Sequence, residues 1–263
     1  MPRKSAPEIV AARRPFEGVT QIVRYNWPFY VIAATLLGAG GVLIGTLDLP
    51  QPAVAIFAVF MVPTVFWVLS SIAVSFYVYD LSLLYRWEWL REVVQNPPRT
   101  WVGFHAGLDE TSDAIRRLFP ASEGRALDMY DPAKMTERSI ERARSSIPAA
   151  GTRASVDFGA LPFPDSTCDA VFLILAAHEL RDPQDRVRFF RELRRILHPG
   201  GRLILVEHLR DAWNFAAYGP GIRHFFSRAE WLRVAKEGGL LKESERSLTP
   251  FVRCFVFSRE RGE

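Results

Sequence analysis

The sequence predicts an α/β protein, in which a doubly wound, mostly parallel sheet of seven strands follows a two-helix transmembrane hairpin. Two short apolar runs, Ala170–Ala177 and Leu203–Val206, are rich in Val, Ile and Leu. Such runs are typical of strands buried on both faces of a parallel sheet. Between them, Gln184–Leu197 places apolar side chains at helical spacing, with arginines on the other face. Strand, crossover helix and strand form a βαβ unit, whose ligand is expected beyond the carboxyl ends of its strands.

The hairpin is predicted from two long uncharged runs near the start of the chain. Trp27–Leu47 and Leu49–Tyr79 contain no charged residue. Each supplies the ~20 apolar residues that a helix needs to cross a bilayer. The short link Asp48–Pro52 makes the two helices antiparallel. A signal peptide is excluded by the length of the first run, and two consecutive spans argue against a buried soluble hairpin.

The distribution of basic residues predicts how the hairpin is oriented. Arg24 precedes the first span, Arg86 and Arg91 follow the second, and the link carries none. The positive-inside rule therefore places both termini and the α/β domain in the cytoplasm, at the inner membrane.

Four segments follow from these patterns. Residues 1–26 form a basic cytoplasmic segment, 27–80 the transmembrane hairpin, 81–98 an amphipathic linker helix and 99–263 the α/β domain. The linker helix is compatible with two positions, along the membrane surface or against the α/β domain.

Charge and cysteine usage exclude other classes of protein. The formal net charge is only +4, and the arginines form no stripe interleaved with aromatic residues. We therefore expect no nucleic-acid partner. The two cysteines, Cys168 and Cys254, have neither zinc-ligand nor CxxC spacing and are expected to be free thiols in a reducing compartment.

Three motifs follow one another around the βαβ unit. Leu161–Asp165 reads LPFPD, Asp169–Val171 (DAV) opens a strand, and the basic helix ends at Pro199–Gly201 (PGG). In this order they resemble the class I S-adenosylmethionine-dependent methyltransferases, in particular the group that includes the ubiquinone/menaquinone methyltransferases. The resemblance covers about residues 100–259. It implies a Rossmann-like fold with S-adenosylmethionine as the cofactor.

The resemblance places the family's first strand and glycine loop between Trp101 and Gly107. Of the family's glycines only Gly103 and Gly107 are kept, while Trp101 stands at the acidic position and His105 at the middle glycine. It implies that Gly103, His105 and Gly107 lie at the cofactor. Asp109 and Glu110 follow, and either could reach the cofactor's amino group; alternatively, both favour the start of the next helix through the helix dipole.

A second group of cofactor contacts is implied at the next strand. Asp128 and Met129 end the run RALDM. In the family an acid here binds the ribose, because a carboxylate accepts two hydrogen bonds from a diol. Asp131 competes for this role, but it directly precedes Pro132 and suits a helix N-cap, so the ribose is assigned to Asp128.

Further cofactor contacts are implied after the third and fourth strands. The third strand is predicted at Arg153–Val156, and Asp157 and Phe158 follow it. In relatives an acid here accepts a hydrogen bond from the adenine amino group, and its neighbour packs on the ring. A loop acid and a core Phe are the alternative. Ala176 ends the fourth strand and is expected to touch the cofactor.

The candidate catalytic residues are His178, Glu207 and His208, which follow the fourth and fifth strands. His178 could act as a general base towards an acceptor hydroxyl or simply line the pocket, and Glu207 could also remove a proton. Two His-Glu pairs could suggest metal ligation, but no further ligand stands at a fitting spacing, so the sequence predicts no metal site.

The segment after the fifth strand is expected to contact the acceptor. Asn214–Phe226 is aromatic and punctuated by Gly and Pro, which is typical of a substrate lid, and Tyr218 and His224 are its candidate contacts. Together with the hairpin, this predicts a membrane-anchored methyltransferase acting on a small, apolar or lipid-like acceptor. The alternative is a non-catalytic docking or regulatory module on the same fold, which the altered glycine loop favours.

Overall fold

The computed structural model of the chain describes residues 14–146 and 155–259. Within them a six-stranded sheet has the order β2-β1-β3-β4-β6-β5. The strands are β1 (Thr100–His105), β2 (Glu123–Asp128), β3 (Cys168–Ile174), β4 (Leu197–His208), β5 (Leu240–Thr249) and β6 (Val252–Arg259). The helices are α1 (Glu17–Tyr25), α2 (Trp27–Thr46), α3 (Gln51–Phe76), α4 (Trp89–Val94), α5 (Ser112–Leu118), α6 (Arg138–Ser145), α7 (Pro183–Ile196), α8 (Ala212–Tyr218) and α9 (Arg228–Glu237).

The strand pairing confirms the doubly wound fold. β1 pairs in parallel with both β2 and β3, and β3 pairs in parallel with β4. β6 and β5 close the sheet as an antiparallel pair. Because β2 and β3 lie on opposite sides of β1, the winding reverses there, and a crevice opens beyond the carboxyl ends of these strands.

The third strand of the predicted seven is not part of this sheet. Ser155 makes only an isolated parallel bridge with Asp128 at the β2 edge. Residues 147–154, which include the start of the predicted strand, lie outside the described residues. The bridge has the position and direction that a strand beyond β2 would take, and a seventh strand stays a prediction.

The two apolar runs form helices long and apolar enough to cross a membrane. α2 has 20 residues and α3 has 26. Large apolar side chains are exposed along both, among them Leu36 at 65%, Phe60 at 70% and Val62 at 67%. A helix that is apolar all round is typical of a lipid-facing span or of a buried core, and these helices are not buried in the protein.

The linker after α3 covers one face of the sheet, which decides between the two positions that the sequence allowed. It is not one helix: a π-helical turn (Tyr77–Leu81), a 3-10 turn (Leu84–Arg86) and α4 follow one another. Its buried side chains pack with Trp101 of β1 and Ile204 of β4. Trp101 therefore points into this core and away from the crevice.

Asp80, in the π-helical turn, joins the front of the chain to the hairpin. Its two carboxylate oxygens accept hydrogen bonds of 2.8 Å from the backbone N–H groups of Gly18 and Val19 at the start of α1. Unpaired N–H groups and the positive end of the helix dipole both favour a carboxylate there. α1 is thereby held beside α3, above the carboxyl ends of the strands.

Two predicted local structures differ from the sequence-based expectation. Asp131 caps a turn by accepting a hydrogen bond from the Ala133 N–H at 2.9 Å, and the helix that follows begins only at Arg138. The predicted lid is not an open loop, since α8 and a 3-10 helix (Gly219–His224) fold over the end of β4. Ser227 caps α9 by accepting a hydrogen bond from the Glu230 N–H.

A buried arginine ties α9 to the loop after β3. Arg186 of α7 is 3% exposed, and it donates to the carbonyl oxygens of Leu180 and Arg181 while pairing with Glu230 of α9. Hydrogen bonds from Arg233 hold the pKa of Glu230 at about 2, with Arg186 adding to them and burial opposing them.

We expect Glu230→Gln to lower the stability of the fold by about 1–3 kcal/mol, because it leaves a buried guanidinium with a weaker partner. A carboxyl whose pKa is depressed on folding stabilises above its unfolded value, and this contribution is lost as the pH falls towards 2. The gap in melting temperature between wild type and variant should therefore be full above pH ~5 and close towards pH ~2. Thermal unfolding of the full chain in detergent measures it. Glu237→Gln, which alters the more exposed partner of Arg233, is the control; an equal effect there would contradict the prediction.

Candidate active site

A cavity of about 430 Å³ lies beyond the carboxyl ends of β1, β3 and β4. This volume falls within the ~300–1,000 Å³ typical of small-molecule sites. On the side of the α/β domain, the cavity is lined by the strand ends and the loops after them: Phe104, His105, Ala106, Gly107, Ala176, His178, Glu179 and His208. The opposite wall is formed by α1 and the hairpin.

The imidazole of His178 is held in place by the buried carboxylate of Glu207, at the end of β4. β3 and β4 run in parallel with Ile174 opposite Val206, so the residues that follow them meet at one edge. Nδ1 of His178 lies 2.7 Å from Oε2 of Glu207, and its backbone N–H donates to Oε1 at 3.2 Å. Glu207 is fully buried. It therefore orients the imidazole so that Nε2 faces the cavity, and it has no exposed oxygen with which to meet an acceptor.

The two predicted catalytic histidines carry different charges. Burial opposes the charged form of His178, but Glu207 and Glu179 together raise its pKa to about 10, so this imidazole is protonated at neutral pH. Burial lowers the pKa of His208 to about 4, and this imidazole is neutral.

His208 is engaged through both ring nitrogens. The Tyr79 hydroxyl lies 2.8 Å from Nε2, and the Asn214 side-chain oxygen lies 3.2 Å from Nδ1. In the neutral ring, Nδ1–H donates to Asn214 and Nε2 accepts from Tyr79. Tyr79 lies just beyond α3, so the hairpin contributes directly to the site. The sequence reasoning used Tyr79 only as the end of the second uncharged run.

Glu137 is a site residue that the sequence reasoning did not single out, and Glu179 entered it only as one member of a His-Glu pair. Oε1 of Glu179 lies 3.5 Å from Nε2 of His178 and 4.0 Å from Nε2 of His224. On the far side of His224, Nδ1 lies 3.7 Å from Oε1 of Glu137. Glu179 could have been suspected because it follows His178, but nothing in the sequence connects it with His224.

The candidate acceptor contacts both reach the cavity. Tyr218 and His224 line it, and Tyr218 lies edge-on to His208 with ring centroids 5.8 Å apart. Their contact with an acceptor remains a prediction.

The predicted cofactor loop divides into residues that reach the cavity and residues that do not. His105, Gly107 and Ala176 line the cavity. Gly107 is needed for close approach, since a Cβ there would lie 2.6 Å from Cγ of Arg144. Gly103 is paired within the strand, opposite Ala126 and Phe172.

Asp109 takes the helix-start role that the sequence analysis gave as its alternative. It is exposed and accepts hydrogen bonds from the N–H groups of Thr111 and Ser112 at the beginning of α5. Glu110 instead lines the cavity, and it accepts a 2.7 Å hydrogen bond from the Tyr85 hydroxyl in the linker.

Asp128, the predicted ribose contact, stands at the tip of β2, opposite His105. Its carboxylate is 6% exposed and is already paired, with Oδ2 2.8 Å from Nη1 of Arg144. Arg144 also donates to the Ala106 carbonyl and lies 4.0 Å over the Tyr130 ring. The carboxylate suits a ribose in type, but it does not line the cavity and is occupied by Arg144, so its contact with the cofactor stays a prediction.

The remaining predicted cofactor contacts face elsewhere. Met129 is fully buried, and Phe158 packs edge-on against Phe189 with centroids 6.1 Å apart. Asp157 is exposed and accepts a 2.7 Å hydrogen bond from Gly159 within its own turn. None of the three lines the cavity. Their contact with adenosine stays a prediction.

Comparison with known sequences agrees with this fold. Residues 130–205 match the family described as a methyltransferase domain. The chain is 29% identical to 27-O-demethylrifamycin SV methyltransferase of Amycolatopsis mediterranei, over 48% of this chain and 50% of the relative. It is 29% identical to the ubiquinone/menaquinone biosynthesis C-methyltransferase UbiE of Cronobacter sakazakii, over 41% of this chain and 44% of the relative. The chain thus spans half or less of the length of these curated relatives.

Solved structures share the fold. An S-adenosylmethionine-dependent methyltransferase from Aquifex aeolicus superimposes with a TM-score of 0.50 at 17% identity, covering 68% of this chain and 93% of that one. The cyclase SpnF gives 0.50 at 14% identity, covering 70% and 84%. Residues 130–205 thus match a methyltransferase domain, and the chain has the fold of the class I S-adenosylmethionine-dependent methyltransferases, a class whose cofactor is S-adenosylmethionine.

We expect Arg144→Ala to bind S-adenosylmethionine several-fold more tightly than wild type, because the substitution frees Asp128 and the space beside Gly107. Asp128→Asn should bind at least about tenfold more weakly, since it removes a charge-assisted acceptor for the ribose. Isothermal titration calorimetry of the full chain in detergent measures both.

Arg138→Ala is the matched control, because Arg138 is an exposed arginine on the same helix. Its affinity should equal that of wild type. Weaker binding by Arg144→Ala would show that Arg144 assists the cofactor instead of competing with it.

Proposed function

We propose that this chain is a membrane-anchored S-adenosylmethionine-dependent methyltransferase whose acceptor is a small, apolar or lipid-like molecule. The observation that carries the proposal is the shared cavity: one wall consists of strand ends and the other of helices long and apolar enough to cross a membrane. An acceptor in this cavity touches both.

The hairpin side of the cavity is built from residues near the same end of the two helices. α2 contributes Phe29 and Tyr30, and α3 contributes Ser71 and Ser75. This end joins the α/β domain, so it corresponds to the cytoplasmic membrane interface in the proposed topology. Both termini and the domain then lie in the cytoplasm, and residues 27–80 hold the chain in the bilayer.

Energetics favour an acceptor delivered by the bilayer. Moving an apolar chain from lipid into water costs about 0.8 kcal/mol for each methylene group. A cavity that opens between the hairpin and the domain lets such a chain keep its tail among apolar side chains while its reactive head reaches the strand ends. Phe29 and Ile140 supply apolar surface on this route.

The residues of the domain then position the reacting groups. S-adenosylmethionine supplies a sulfonium methyl group when bound. His105, Gly107 and Ala176 line the end of the cavity where the class holds its cofactor. Nε2 of His178, oriented by Glu207, is the atom placed to hydrogen-bond the acceptor. Placing the two reactants in line is the main contribution that a protein makes to such a transfer.

We expect Ser75→Leu to reduce methyl transfer to lipid-extractable product by about tenfold, because added bulk on the hairpin wall misplaces the acceptor. Membranes containing the protein are incubated with isotopically labelled S-adenosylmethionine, lipids are extracted, and label in the lipid fraction is counted. Cofactor affinity should stay within about twofold of wild type, which reports that the variant folds.

The control Val62→Leu changes an outward-facing position of the same helix and should transfer label at the wild-type rate. Label that appears only in water-soluble material, with no effect of Ser75→Leu, would contradict a lipid-like acceptor.

A second candidate is a non-catalytic docking or regulatory function on this fold. The pairing of Arg144 with Asp128 favours it, because this pairing closes the ribose position. Absence of any S-adenosylmethionine binding by wild type and by Arg144→Ala would support this candidate over the enzyme.

A further inference from the structure

We propose that His178, Glu179 and His224 form a binding site for one divalent first-row transition-metal ion, with Zn²⁺ as the representative ion. Potential ligand atoms of the three residues all lie within 4.8 Å of one another. Ligand atoms around tetrahedral zinc, with bonds of ~2.0–2.1 Å, stand about 3.3 Å apart. The observed separations of 3.5 and 4.0 Å from Glu179 Oε1 to the two Nε2 atoms are a slightly expanded version of that arrangement.

The orientation of His178 is the one that a metal ligand requires. Its Nδ1 is occupied by Glu207 at 2.7 Å, so Nε2 is the nitrogen that remains for an ion. A histidine ligand usually donates its other ring N–H to a carboxylate in this way, which sets the tautomer and makes the ligand more basic. Glu137 stands in a similar relation to His224, 3.7 Å from its Nδ1.

Glu179 supplies an independent indication that this site binds a cation. The residue is 6% exposed, and its Oε2 has no hydrogen-bond partner among the described residues. Buried carboxylate oxygens are normally satisfied by hydrogen bonds or by a cation. An ion bound between the two histidines would provide that partner.

The charges of the residues around His178 also favour a bound divalent cation. Glu179 and Glu207 are buried carboxylates on either side of His178. A divalent cation that displaces the proton on His178 brings the group of two carboxylates and neutral imidazoles to a net charge of zero. The desolvation cost of buried charges is smallest when they are paired in this way.

The donor set also selects the class of ion. Two imidazoles and one carboxylate suit Zn²⁺, Fe²⁺, Co²⁺ or Mn²⁺, whereas Mg²⁺ and Ca²⁺ prefer all-oxygen sites. Three protein ligands leave at least one position open towards the cavity, as in zinc sites that bind water or a substrate oxygen. The ion would therefore present a Lewis-acidic position to any oxygen-bearing molecule in the cavity.

This site does not depend on the proposed function, because ion binding can be measured without any methyl transfer. The full chain, purified in detergent and stripped of metal with a chelator, is titrated with Zn²⁺ by calorimetry. A parallel titration with Co²⁺ follows the visible absorption, whose intensity and position report nitrogen and oxygen ligands in a low-symmetry site.

We expect one equivalent of Zn²⁺ to bind to wild type, with at least about tenfold weaker binding in His224→Ala and in Glu179→Gln. His198→Ala is the matched control, because His198 is an exposed histidine near the start of β4, and the affinity of this variant should equal that of wild type. Zn²⁺ should also raise the melting temperature of wild type and of His198→Ala, but not of Glu179→Gln.

Three results would overturn the site: no saturable Zn²⁺ binding to wild type, equal binding by His224→Ala, or a Co²⁺ spectrum that is unchanged by both ligand substitutions. Glu179→Gln keeps the size of the side chain, so its metal-free melting temperature separates loss of a ligand from loss of the fold. Bound S-adenosylmethionine is absent from every arm, so failure of the proposed function leaves these outcomes unchanged.

Discussion

A carboxylate buried at the end of the central strands is the constraint on which the site depends. Glu207 is fully buried at the end of β4, where an ion without a partner would cost several kcal/mol. Its partner is His178, which contributes both a ring nitrogen and a backbone N–H. The turn after β3 is fixed by this requirement, and with it the direction in which His178 Nε2 and Glu179 face the cavity. Because Glu207 is buried against His178, it orients this imidazole and does not face the cavity as the predicted proton acceptor would.

The hairpin is part of the same unit as the α/β domain. Asp80 holds the start of α1, the linker buries its aromatic side chains against the sheet, and Tyr79 bonds to His208 inside the cavity. A tether that only fixed the domain to a surface would need none of these contacts. Their common effect is to close the crevice with residues from the hairpin, which is why the proposed acceptor is one that the bilayer supplies.

Much of the fold could be predicted because its signals are local. The apolar run of β3, the helical periodicity of α7 and the Ser227 cap each depend on residues within one or two turns of the chain. Contacts made across the chain were harder to predict. The linker's place on the sheet was left open, and the helix predicted from Asp131 begins only at Arg138, because a turn held by the Asp131 side chain precedes it. The site residues divide in the same way: strand-end positions such as His105 and His178 were found, whereas Glu137 was not.

The sequence by itself determined the fold class, since periodicity, apolar run length and the motifs around the βαβ unit are properties of adjacent residues. It also identified the strand ends at which a ligand would lie. Only the tertiary structure decided which partners the side chains at those strand ends have. Arg144 reaches Asp128 from another element, and His224 approaches Glu179 from a helix folded over the end of β4. Such pairs form because packing brings distant segments within a few ångströms of each other. That distance cannot be inferred from the separation of the residues in the sequence.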